Sequence, residues 1–247
     1  MRILIVNPNT TASMTEKAAT AARAVAAAGT EIIVATSRMG PVSIEGHYDG
    51  ALAIPGLLTE LKERQQTGYE AAIVACFDDT GLDAARTFAN VPVLGLCESA
   101  VATAGFLAQR FTVVTTLERS RVLIDNLVRR YGMGGRAKVR ASNIPVLELE
   151  DAASGAIGKL KAEIERALSE DGAEAIVLGC AGMTDLAREL QEFYGVPVID
   201  GVAAAVKQAE ALVSLGLSTS KRGSYASPLP KSFTGAMSGF APILAVG

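Results

Sequence analysis

A chain of 247 residues, 49% of them hydrophobic, has enough apolar material for one large α/β unit or two compact lobes. Its 23 basic residues are interspersed among 26 acidic ones for a net charge of −3, which excludes the basic stripe expected of a protein that binds nucleic acid or an anionic membrane. Three widely spaced cysteines without a CxxC pair, a single histidine (His47) and no tryptophan argue against a disulfide framework, structural zinc or a His-rich metal site. The chemistry must run through other side chains, with a small molecule as the expected partner.

The chain opens with MRILIVNPNT, whose five-residue apolar run is cut short by Asn-Pro-Asn. That run is too short for a signal segment or membrane span and reads as a first strand over 2–6. β-Branched runs then alternate with Ala-, Leu- and Glu-rich stretches, predicting further strands over 31–36, 71–75, 93–96, 111–115, 138–143, 175–178 and 198–199. Helices fall between them, among them 11–28, closed by Gly29, then 154–169 and 202–214. This alternation is the signature of mostly parallel sheets covered by helices. After Leu217 the composition turns to Ser, Gly and Pro, so 218–247 is expected as a non-helical tail that wraps the surface or is partly disordered and carries little chemistry.

An internal echo organises these elements. Residues 70–95, EAAIVACFDDTGLDAARTFANVPVLG, resemble 174–200, EAIVLGCAGMTDLARELQEFYGVPVID. In each, an apolar strand ends at a cysteine, a small or acidic turn follows, and Val-Pro-Val opens the next strand. Residues 2–8 likewise parallel 110–116. The chain therefore reads as two pseudo-symmetric α/β lobes whose matching positions, Cys76 and Cys180, face a shared cleft at strand carboxyl ends.

Two thiols on opposite sides of a carbon acid suffice for racemisation. One, as thiolate, removes a proton while the other delivers one to the opposite face. A turn leading into a helix N-terminus would favour the thiolate. In the turns Phe77-Asp78-Asp79-Thr80-Gly81 and Ala181-Gly182-Met183-Thr184, free N–H groups could hold a developing enolate, or Asp78, Asp79 and Thr184 could serve as ordinary helix caps. Asn9 and Thr10, in the loop after the first strand, offer hydrogen bonds to an amide-bearing ligand. The loop Ser43 to His47 reads equally as a pocket wall or a surface turn. Cys97 fits a buried, inert thiol.

With NPNTT at the start, ACFDDTG around Cys76, VTTLERS after the midpoint, GCAGM around Cys180 and the KRGSYASPLPKSFTG tail, the sequence resembles the aspartate/glutamate/hydantoin racemase superfamily over residues 1 to about 236. Within it the likeness is to the hydantoin and allantoin racemases. The resemblance implies a cofactor-independent, oligomeric racemase, while the cysteine usage points to a reduced cytoplasmic setting and, with the single histidine, to no metal site. Its first lobe would be 1–97 completed by about 205–247, and its second 98–204. It carries catalytic roles onto Cys76 and Cys180. Substrate contacts fall to Pro8, Asn9, Thr10, Ile44, Phe77, Asp78, Asp79, Thr115, Thr116, Ala181 and Gly182.

Glutamate and aspartate racemases must hold a free ammonium and carboxylate. The neighbours of the cysteines here, Phe77 and Ala181-Gly182, better suit an uncharged cyclic ureide such as a 5-monosubstituted hydantoin. Allantoin as substrate, another Asp/Glu-type racemase, an isomerase or acyl-transfer route with a cysteine nucleophile, and a non-catalytic metabolite-binding cleft remain open alternatives.

Overall fold

The computed structural model describes residues 1–151 and 153–241. Eight strands and eight α-helices alternate among them: β1 Arg2–Asn7, α1 Ala12–Val25, β2 Glu31–Thr36, α2 His47–Glu63, β3 Ala71–Val74, α3 Leu82–Phe88, β4 Val93–Gly95 and α4 Leu96–Leu107, then β5 Phe111–Thr115, α5 Glu118–Arg130, β6 Ala137–Ala141, α6 Ala156–Glu170, β7 Ala175–Gly179, α7 Ala187–Tyr194, β8 Val198–Asp200 and α8 Gly201–Ser214. The strands form two four-stranded parallel sheets of identical topology, β2-β1-β3-β4 and β6-β5-β7-β8. Every strand predicted from the sequence is present. The one over 138–143 ends early, because the chain turns away at Ser142 and Asn143 adopts a left-handed φ of 53°.

Side-chain alternation along the central strands builds three layers of core. Ile3 and Ile5 of β1, with Phe111 and Val113 of β5, enter one cluster shared by both lobes. Leu4 and Val6 point the other way, toward Leu57 and Leu61 of α2. Val114 does the same in the second sheet, meeting Leu160 and Ile164 of α6.

The shared layer arises because the last helix of each half crosses over. α4, which follows β4, packs against β7 and β8, whereas α8, which follows β8, packs against β3 and β4; the two helices also pack on each other. Gly201 starts α8 so close to the first residue of α4 that an added Cβ would stand 3.0 Å from the Leu96 carbonyl oxygen.

The tail leaves α8 and lies along the first lobe. Thr219 donates to the Val91 carbonyl (2.8 Å), Lys221 to the carbonyls of Arg86 (2.7 Å) and Thr87 (3.0 Å), and Tyr225 to Asp83 (2.9 Å). Residues 242–247 of the expected tail lie outside the described residues. No helix among the described residues is long and apolar enough to cross a membrane.

Candidate active site

Parallel sheets present the carboxyl ends of their strands on one side, and there the two lobes meet. Cys76 stands just past β3. The turn beyond it is tight: Asp79 donates its N–H to the Cys76 carbonyl (3.1 Å), and Asp79 and Gly81 take left-handed φ values of 48° and 73°. α3 therefore begins only at Leu82. Cys180 directly follows β7 and caps a 3₁₀ turn, Ala181–Leu186, with its sulfur accepting the Gly182 N–H at 3.4 Å. Before it, Gly179 lies so close to β5 that a Cβ would be 2.8 Å from the Thr115 Cα.

Both cysteines line one cavity of about 40 Å³ between the lobes. Of the residues expected there, Asn9, Ile44, Phe77, Asp78, Thr116, Ala181 and Gly182 also line it. Four do not. Thr10 is tied to the Pro41 carbonyl by its N–H (2.9 Å) and hydroxyl (3.3 Å). Pro8 is packed beside Gly40, and Thr115 is buried with its hydroxyl donating to the Gly179 carbonyl (3.4 Å).

Asp79 is occupied elsewhere. Its carboxylate accepts the N–H groups of Cys97 and Glu98, both at 3.0 Å, and the Tyr131 hydroxyl at 2.7 Å. It thus caps α4, whose own cap position is a glycine; a Cβ on Gly95 would fall 2.3 Å from the Asp79 carboxylate. In the second lobe the matching position is Asp200, which caps α8 itself through the N–H groups of Val202 (3.0 Å) and Ala203 (2.9 Å).

Asn7, Met14, Ala75, Val146 and Gly179 join the cavity wall without having been expected. Asn7 braces the loop after β1, its amide donating to Asn9 (2.9 Å), the Thr11 carbonyl (3.1 Å) and Thr15 (3.1 Å). Val146 is the second lobe's counterpart of Ile44: each sits in the loop after an edge strand, and the Glu45 carboxylate accepts the Val146 N–H at 2.8 Å across the cleft. The internal echo contains this signal, but the two loops differ in length and composition and do not align by residue. Cys97 is fully buried in the shared core. His47 starts α2 and lines a separate cavity of about 610 Å³.

The electrostatics differ from the expected helix-assisted thiolate. Neither cysteine sits at the free start of an α-helix, and burial dominates. It pushes the Cys180 thiol up to about 12 against the opposing pull of the Gly182 N–H. Cys76 is raised further, first by burial and then by the charge of Asp78, with the Thr80 hydroxyl at 3.5 Å and the Asp78 backbone N–H acting in the other direction. Asp78 itself is pushed up to about 7 by burial and by the neighbouring Asp79. No lysine, arginine or histidine lines the cavity among the described residues. The site is thus a small chamber with one carboxyl and two cysteines, one from each lobe, in which burial opposes thiolate formation.

Paired four-stranded parallel α/β lobes of identical topology, with one cysteine at the matched strand end of each, define the class of fold. Residues 3–209 match the family model described as Asp/Glu/Hydantoin racemase, so the chain belongs to that family and is a racemase. It is 49% identical to a hydantoin racemase of Rhizobium meliloti over 95% of this chain and 98% of the relative. A hydantoin racemase of a Pseudomonas species is 45% identical, with 97% of each chain covered. In structure it is similar to an allantoin racemase from Klebsiella pneumoniae, with a TM-score of 0.95, 46% identity and coverage of 98% of this chain and 100% of that one.

Proposed function

We propose that this racemase inverts 5-monosubstituted hydantoins at C5, with Cys76 serving one face of the ring and Cys180 the other. The observation that carries the reading is the shared cavity: two thiols from opposite lobes, with no cationic side chain among the described wall residues to bind an amino-acid carboxylate. A hydantoin is uncharged, and its C5 proton is acidified by the adjacent carbonyl, so removal gives a planar enolate that either thiol can reprotonate. Such a reaction needs no electron sink, which supports a cofactor-independent enzyme. Ile44, Phe77 and Val146 supply an apolar wall for an alkyl or aryl substituent, while the backbone N–H groups of the turns after both cysteines are the candidate donors to the enolate oxygen.

A second reading, allantoin as substrate, is favoured by the similarity to the Klebsiella pneumoniae structure. The ureido substituent would want polar partners where this cavity offers Ile44 and Val146. Comparing the loss of optical rotation from an enantiopure 5-alkylhydantoin and from allantoin separates the two. No racemisation of any hydantoin would reject the substrate class.

For the mechanism, each enantiomer incubated in D₂O with Cys76→Ser or Cys180→Ser is expected to racemise about 10²–10⁴-fold more slowly. Each variant should exchange the C5 hydrogen of only one enantiomer. Racemisation retained by both variants, or lost in Cys97→Ser, would mean other groups carry the protons. We further infer a cytoplasmic homo-oligomer built from lobes 1–97 with about 205–247 and 98–204. Light scattering on the purified chain tests its assembly.

A further inference from the structure

A two-thiol racemase needs one thiolate, and this cavity opposes it. Burial raises both thiols, and no cation lines the wall among the described residues. The proton leaving a thiol must go to a group within reach. Besides the cysteines, the cavity wall among the described residues holds one titratable side chain, Asp78. Its Oδ2 is buried and has no hydrogen-bond partner among the described residues, although the adjacent Asp79 carboxylate satisfies three donors. A buried carboxylate oxygen left without a donor is costly, and the wall of a reaction cavity is where that cost can serve a purpose.

We propose that Asp78 is the proton acceptor that ionises the cavity cysteines and returns the proton after turnover, an inference that rests on the two-cysteine reading. The resting site holds one carboxylate and two thiols. The S–H bond of one cysteine breaks, the proton forms an O–H bond on Asp78, and the electron pair stays on sulfur. That thiolate takes the C5 proton, and the C–H bonding pair passes into the enolate. The second thiol gives its proton to the opposite face of C5 and becomes a thiolate, which recovers the proton held by Asp78. One negative charge moves from carboxylate to sulfur to enolate and back, so no co-reactant is required. The enzyme ends in the same protonation state whichever enantiomer enters.

Coupling among these groups lowers the cost of this exchange. The charge of Asp78 raises both thiols, and that repulsion vanishes once Asp78 takes a proton, so the groups titrate as a set rather than singly. Asp79, the neighbouring carboxyl on the same turn, is itself pushed up to about 7 by burial, against the pull of the Tyr131 hydroxyl and the Glu98 and Cys97 N–H groups, so it titrates beside Asp78 but faces α4 rather than the cavity. On its outer side Asp78 borders the second cavity with His47, Asp83, Arg130 and Tyr131. There Arg130 is paired with Asp83 at 2.6 Å and Tyr131 donates to Asp79. Behind Cys180, Lys17 and Glu150 pair at 3.0 Å. The competent form carries a single charge, so kcat/KM rises as that charge appears, near the value of about 7 for Asp78, even though the base that meets C5 is a thiolate.

Two readouts test this across pH for wild type, Asp78→Asn and Asp78→Glu: kcat/KM for racemisation, and the rate of iodoacetamide alkylation of Cys76 and Cys180 followed by mass spectrometry. In wild type both are expected to rise through neutrality. Asp78→Asn, with its fold checked by circular dichroism, should lose that step. It should fall at least about tenfold at neutral pH and recover only in the alkaline range, while Asp78→Glu keeps a neutral step. If Asp78→Asn does not fold, Asp78→Ser takes its place. A wild-type pH limb preserved in Asp78→Asn, or an equal loss at every pH, overturns the proposal. Alkylation needs no substrate. An Asp78-dependent alkylation step without racemisation of any hydantoin would therefore uphold Asp78 and remove the substrate assignment, and racemisation without such a step in either readout would do the reverse.

Discussion

Asp78 and Asp79 are adjacent in sequence and opposite in circumstance. Asp79 satisfies three donors and holds α4 to Tyr131; Asp78 lines the cavity with one oxygen unpartnered among the described residues. The raised Asp78 carboxyl has a consequence for stability. Its value in the fold lies at about 7 against an ordinary 3.8, so the folded chain holds this proton more tightly than the unfolded one. The stability this proton confers is complete below the ordinary value and is lost as pH climbs through the folded one. Asp78→Asn has no proton to lose. It is expected to gain on wild type over that interval and then keep a constant advantage of at most about 4 kcal/mol, trading activity for stability. Thermal melts of both proteins across that range measure the gap, and a gap independent of pH would sink the argument.

At the scale of elements, helix starts and strand contacts decide what surrounds the thiols. Gly95 leaves α4 without a side-chain cap and leaves room for one supplied from the turn after Cys76. Asp79→Ala removes the acceptor for two helix N–H groups and for Tyr131, and is expected to cost roughly 2–3 kcal/mol in chemical denaturation. A loss under about 0.5 kcal/mol would show that water replaces the cap. In the second lobe Gly179, at the end of β7, keeps that strand close against β5. Gly179→Ala places a methyl group 2.8 Å from the Thr115 Cα and Val114 carbonyl oxygen, which β7 can relieve only by moving away from β5. Because Cys180 is the next residue, kcat/KM should fall by an order of magnitude or more even where the variant still folds. Unchanged kinetics would mean the displacement stops short of the sulfur.

On the scale of the whole molecule, the crossing of α4 and α8 makes one core out of two lobes. Such a core should unfold as a unit, since neither sheet can expose its inner face without exposing the other's. Native-state hydrogen exchange is expected to give the most protected amides of β1 and β5 the same opening free energy. Values separated by more than about 1 kcal/mol would indicate lobes that open independently. The cavity is also small for its task. At about 40 Å³, against the ~10–15 Å³ that one water needs, it has room for about three waters, and the Glu45–Val146 hydrogen bond ties together the two loops that bear Ile44 and Val146.

The strands were legible because parallel sheets buried on both faces demand short, continuous β-branched runs, as in AAIV of β3 and AIVLG of β7. Their repetition marked Cys76 and Cys180 as a pair, and the glycines and proline around them located the turns. The partition of Asp78 and Asp79 was not legible, because it depends on Gly95 and Tyr131, which lie 16 and 52 residues beyond Asp79 and are brought to it only by packing. Val146 was hidden for a similar reason, as loops carry no periodicity to align. The protonation of the thiols was likewise decided in three dimensions: local sequence offers a turn and backbone N–H groups that favour a thiolate, whereas burial between two lobes removes the water that would solvate it. Chain order thus determined which residues repeat. Tertiary structure determined their environment, because desolvation and charge act through space and not along the chain.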